Sequence, residues 1–108
     1  MQNTKFEIEL DKKRYMEFTW ASIDYISERN ESFGECALLV GLFDGNPMNM
    51  TKKTMNALYD MLTALFITDD PSITPEIIKQ IMPMNKMTEI SALITSAVQA
   101  GSVVQTNP

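Results

Sequence analysis

Residues Thr51 to Met82 constrain this chain most. The stretch TKKTMNALYDMLTALFITDDPSITPEIIKQIM encodes a strongly apolar helix, a tight acidic loop and a second helix with an explicit start. Met55, Leu58, Tyr59, Leu62, Leu65 and Phe66 recur at helical spacing and so share one face. Ala57, Met61 and Ala64 widen that stripe, which predicts neighbours on more than one side. A hydroxyl at Thr51 or Thr54 can accept from an otherwise orphaned amide at the helix start. After Ile67 the periodicity stops. Thr68-Asp69-Asp70-Pro71-Ser72 is turn chemistry, because Asp side chains bond local amides and Pro71 fixes its own φ. Thr74-Pro75-Glu76 reads as N-cap, first helical position and acidic first turn. Ile77, Ile78, Ile81 and Met82 make a short apolar face, and Pro83 ends it by disfavouring helix at the preceding residue.

Before this centre, Lys5 to Leu10 alternates polar and apolar strictly, which predicts a half-buried strand. Asp11-Lys12-Lys13 is a turn without glycine, and Arg14 to Phe18 is a second strand returning antiparallel. A two-stranded ribbon alone is marginal in water. It must lie on helices, with Phe6, Ile8 and Leu10 inward. Thr19 can cap a helix from Trp20 to about Asn30, with Trp20, Ile23 and Ile26 as its apolar edge. Ser32-Phe33-Gly34-Glu35 is a capping-box pattern. The run Cys36 to Phe43 is apolar on all sides and is expected to be a buried helix, closed by Asp44-Gly45-Asn46-Pro47. A last helix is expected from near Asn85 to about Ala100, with Gly101 as its stop. The fold class is therefore mainly-α α+β: an N-terminal β-hairpin packed on a bundle of about four to five short helices. Residues 1–101 form one domain, and 102–108 a loose tail.

A net charge of −5 argues against nucleic acid as a main partner, since phosphate binding needs a basic patch. The cluster Lys12-Lys13-Arg14 reads as a solvated turn. The opening residues are polar and charged, unlike a signal peptide. No apolar run approaches the ~18 residues that would span a membrane. The single cysteine, Cys36, cannot form an intrachain disulfide, which fits a reducing cytoplasm.

The chain contains no histidine, so no Ser-His-Asp or Cys-His arrangement and no imidazole metal site can form. No glycine-rich phosphate loop appears. Asp69-Asp70 lacks further oxygen ligands at alternate positions and reads as a turn rather than a cation site. Cys36 reads as a buried structural thiol without a base. The expectation is a non-enzymatic protein without cofactor or metal, whose work is contact. Nine methionines offer adaptable apolar surface. Met55, Met61, Met82 and Met87 sit at core spacing; Met48, Met50 and Met84 fall in predicted loops and are candidate contacts. Among the aromatics, Phe33 is the candidate exposed anchor.

The order of features resembles one family. A charged hairpin leads into FTWASIDYISE, then a helix ending ALYDMLTALF, then DDPSITPEIIKQIM, then EISALITSAVQAG. This is similar to the short tail assembly chaperones of long-tailed phages and prophages, and to a related component of gene transfer agents. The family's Arg-x-x-x-Phe-Thr segment is matched by Arg14, Phe18 and Thr19. Its Pro-Ser-x-Thr-x-Glu helix start is matched by Pro71, Ser72, Thr74 and Glu76. The likeness covers about residues 5–101. It implies a non-enzymatic holder of the tape-measure protein during tail-tube assembly in the bacterial host cytoplasm, absent from the mature virion. It implies partners in the tape-measure and tail-tube proteins, possible self-association, and in many members a longer frameshifted form. No functional residue set carries over. From the residues, the expected client site is an apolar groove beside the central helix, rimmed by Met48, Met50 and Met84. The alternative is a small acidic adaptor, of the anti-repressor or host-takeover type, that binds one folded protein.

Overall fold

A computed structural model describes residues 5–30, 32–41, 48 and 50–102. The order is β1 (Phe6–Glu9), β2 (Lys13–Met16), α1 (Trp20–Ser27), α2 (Phe33–Gly41), α3 (Lys52–Phe66), α4 (Pro75–Ile81), a 3-10 turn (Met84–Lys86) and α5 (Met87–Ser102). This is the mainly-α α+β architecture expected. The turn at 44–47, Leu42, Phe43 and residues 103–108 lie outside the described residues.

Helix α3 is the hub and touches α1, α2, α4, α5 and β2. Its last six residues, Met61 to Phe66, are all buried, including Thr63. A helix buried on every side has a buried polar group to satisfy, and the Thr63 hydroxyl donates to the Tyr59 carbonyl at 2.7 Å. The expected caps form: the Thr54 amide donates to Thr51 Oγ1 at 3.1 Å, and the Ile77 amide to Thr74 Oγ1 at 3.3 Å. The Glu35 amide likewise donates to Ser32 Oγ at 3.1 Å.

The strands pair antiparallel, with Ile8 opposite Arg14 and Phe6 opposite Met16. Directly paired residues share a face, so Arg14 stands on the core face beside Ile8 and Met16. This corrects the expectation of a solvated basic turn: Lys12 and Lys13 are exposed, but Arg14 is only 3% exposed. Its guanidinium donates to both carboxylate oxygens of Asp11, at 2.8 and 2.9 Å, and to Asp70 Oδ2 at 3.1 Å. One arginine thereby closes the glycine-free hairpin turn and ties it to the loop after α3. Asp70 also accepts from the Ser72 hydroxyl and amide. These contacts hold its carboxyl at about 2, the Ser72 hydroxyl first, then Arg14, then the Ser72 amide.

Three other expectations are corrected. Trp20 is 84% exposed. The core face of α1 is taken by Ser22 and Ile26, one turn apart, and Trp20 points away from it. Ser22 earns its buried place through hydrogen bonds: its hydroxyl accepts from the Thr19 amide and donates to the Glu17 carbonyl. Helix α2 is buried on one face only, through Cys36 and Val40, and Leu38 on the opposite side is 70% exposed. Gly101 does not stop α5, which continues to Ser102. Its hydrogen instead admits close packing: a Cβ there would lie 2.6 Å from the Phe18 carbonyl oxygen and 2.7 Å from Phe18 Cβ. Gly101→Ala is therefore expected to destabilise the domain despite alanine's better helix propensity. Overpacking costs about 1–3 kcal/mol and the propensity gain is about 1 kcal/mol, leaving a net loss of roughly 1 kcal/mol. A thermal melt of the variant checks this, and a raised midpoint would show that α5 does not depend on the close approach.

The segment Arg14 to Thr19 meets the end of α3 and the acidic loop that follows it. Arg14 reaches Asp70, one residue before Pro71. Phe18 packs against Phe33 with ring centroids 4.6 Å apart, and against Gly101. Thr19 and Thr68 share a hydroxyl–hydroxyl hydrogen bond of 2.8 Å. The Glu17 amide donates to the Leu65 carbonyl. These residues build a junction of the fold.

Candidate functional site

Met50, Met55, Met82, Met84 and Met87 converge on one slot of about 210 Å³, completed by Leu58, Tyr59 and Lys79. The local sequence explains why. The Thr51 cap fixes where α3 starts, which places Met50 just outside the helix and Met55, Leu58 and Tyr59 in its first two turns. On the other wall, Pro83 bars helix at Met82, which adopts an extended conformation (φ −89°, ψ 109°). The chain then re-enters helix through the 3-10 turn. That interruption delivers Met82, Met84 and Met87 from two helices and a turn to one place.

The slot runs from buried to open. Met87 is buried, Met50, Met55 and Met82 are partly buried, and Met84 is 75% exposed. Its one charged wall residue, Lys79, holds its ammonium 5.5 Å from the centre of the Tyr59 ring. The volume is small for a metabolite site, since ligand pockets usually exceed ~300 Å³. An apolar cavity of ~150 Å³ is enough for a benzene ring, so the slot suits one large apolar side chain of a partner. Methionine walls adapt to its shape because the side chain is unbranched and polarizable.

Of the residues expected at a contact site, Met50 and Met84 are brought together here. Met48 is 88% exposed and does not line the slot. Phe33 is not an exposed anchor: it is partly buried against Phe18 and the core, because it opens α2 at the corner where the hairpin strand arrives. Met55, Met82 and Met87, read as core from their spacing, also form slot walls. The sequence signal for this was Met82-Pro83-Met84, where the proline breaks the α-helix, leaving Met82 extended and Met84 at the start of the 3-10 turn.

The cysteine and the acidic loop have structural roles. Cys36 is fully buried and its thiol donates to the Ala57 carbonyl at 3.4 Å. Burial first, and the charge of Asp60 second, push the thiol up to about 12, so it stays protonated at neutral pH. Asp70 is spent on its own turn and on Arg14. Among the described residues, no group of three or more His, Cys, Asp or Glu could hold a metal ion. No helix among them is long and apolar enough to cross a membrane.

No protein-family model matches the chain, no curated protein matches it, and no solved structure matches it. Fold and site together define a small mainly helical α+β domain with a methionine-lined slot at its surface.

Proposed function

We propose that the protein is a non-enzymatic tail assembly chaperone that holds a phage tape-measure protein while tail-tube subunits assemble. The observation that carries the reading is the methionine slot. A long helical client presents many amphipathic segments of varied sequence, and a small adaptable apolar slot takes one side chain of each. Single-residue anchoring gives many modest contacts that polymerising tube protein can displace. The family likeness of residues 5–101 points the same way.

Co-expression with a phage tape-measure protein tests the proposal. The expected result is a client that stays soluble and co-purifies with this chain. Met50→Ser with Met84→Ser should weaken capture by roughly thirtyfold, since each methionine contributes about 1 kcal/mol of apolar contact. Met84 is 75% exposed, so Met84→Ser should leave the fold unaffected; Met50 packs partly against the core, so circular dichroism of the double variant checks that it is folded. A client that aggregates equally with and without the chain sinks the chaperone reading.

A further inference from the structure

The outward face of α1 is a separate surface and shares no residue with the methionine slot. Trp20, Ile23, Asp24 and Ser27 recur at i, i+3, i+4 and i+7 and so line one side of the helix. With Ala21 they line a shallow hollow of about 450 Å³. Trp20, the only tryptophan of the chain, is 84% exposed, and Asp24 is exposed beside it. A single exposed apolar residue needs no explanation. Here the indole and the half-buried Ile23 make one apolar floor, and Asp24 is the only charge in the lining.

Asp24 breaks a local rule. It lies in the last turn of α1, at the negative end of the helix dipole, where a cation is favourable and an anion is not. No basic residue stands in that turn. Arg29, just past the C-cap Glu28, is held elsewhere: its guanidinium lies 3.9 Å over the Tyr25 ring, with Nη1 3.7 Å from Glu28 Oε1. Tyr25 stands about 140° round the helix from Trp20, so Arg29 does not cover this face. Among the described residues, no ion pair engages Asp24, and no aromatic ring or cation packs on the indole.

We infer that the Trp20 face of α1 is a second interaction surface, docking a protein segment in which a lysine or arginine adjoins an apolar side chain. The cation lies over the indole and pairs with Asp24, and the apolar neighbour covers Ile23. Tryptophan gives the strongest cation–π attraction of the side-chain rings. Trp20 and Asp24 are one turn apart, about 6 Å along the axis, so one cation reaches both. The same cation offsets the negative end of the helix. An acidic segment would meet like charge from Asp24 and from the dipole, so charge complementarity selects a basic occupant. The net charge of −5 draws such a segment in from a distance.

A displayed library of random peptides, selected against the full chain and counter-selected against Trp20→Ala, tests the inference. Peptides held by the parent and not by the variant should be enriched in Lys or Arg beside a large apolar residue. Their binding should change the fluorescence of Trp20. Trp20→Ala should weaken them about tenfold and Asp24→Asn about threefold. Asp24→Lys should reverse the preference towards Asp or Glu, and it should also raise the midpoint of thermal unfolding, because a cation then meets the helix end. A purely structural Asp24 would not lose binding while gaining stability. If no peptide separates parent from Trp20→Ala, or if those that do carry no basic residue, the inference falls. It also falls if Trp20→Ala converts a dimer to a monomer in sedimentation, since the face is then a contact between copies of the chain. The chaperone reading depends on none of these outcomes.

Discussion

Phe66→Ala is expected to remove about 4 kcal/mol of stability, the largest effect of a single side-chain truncation in this domain. Among the described residues, Phe66 is the largest side chain buried below 2% exposure. It ends α3, where the helix is buried all round and the hairpin and the acidic loop converge. A cavity there cannot relax easily, because the Phe66 carbonyl is itself tied to the Asp70 amide at 2.9 Å. Domains of this size are stable by only about 5–15 kcal/mol. The midpoint of thermal unfolding should fall on the order of 20 °C. Phe66→Leu, which keeps much of the apolar bulk, should lose clearly less. Calorimetry on both variants checks the result, and similar midpoints for parent and alanine variant would mean that this end of α3 is not packed as described.

Arg14→Met is expected to cost about 2 kcal/mol. Breaking a fully buried ion pair by removing one partner costs about 3–5 kcal/mol. The figure here is lower because the stranded carboxylates retain water: the Asp11 and Asp70 side chains are 40% and 23% exposed, against 4% for Arg14. The same variant should change the acid response. Asp70 is held at about 2, below the ordinary 3.8, and Asp11 is also lowered, chiefly by its hydrogen bonds from Arg14. A carboxyl lowered in the folded state adds stability above its unfolded value and loses it as pH falls through the folded one. Parent stability should therefore drop from about pH 4 towards pH 2. In Arg14→Met the drop should be shallower but still present, because Ser72 continues to hold Asp70. Denaturant melts across that range decide it, and parallel curves would detach Arg14 from both acids.

Much of the fold was readable because its signals are local. The Thr51 and Thr74 caps, the alternation of residues 5–10 and the break at Pro83 each act within a few residues. The misreadings have one cause, which is that facing is decided by distant partners. Arg14 looked like part of a basic turn, yet period two puts it on the same face as Met16. Asp11 in the turn and the distant Asp70 together make that position tolerable. Trp20 looked like core, yet Ser22 occupies the core face of α1 once Glu17 and Thr19 satisfy its hydroxyl. Gly101 looked like a helix end, and only the position of Phe18 shows why no side chain fits. The slot was half readable. Loop methionines suggested a contact surface, but which of them gather depends on how α3, α4 and α5 are set against one another.

The hairpin's ties have a consequence for the order of assembly. Its two strands are marginal alone, and the hairpin with the link that follows it is tied to residues far along the chain: Arg14 to Asp70 in the loop after α3, Glu17 to Leu65 near the end of α3, and Phe18 to Gly101 near the end of α5. Each of these contacts closes a long loop, and that entropy is lost before any burial compensates for it. The helices that surround α3 can gather through nearer neighbours in sequence. The ribbon is therefore expected to be seated late, as a clasp that shuts once α5 has formed.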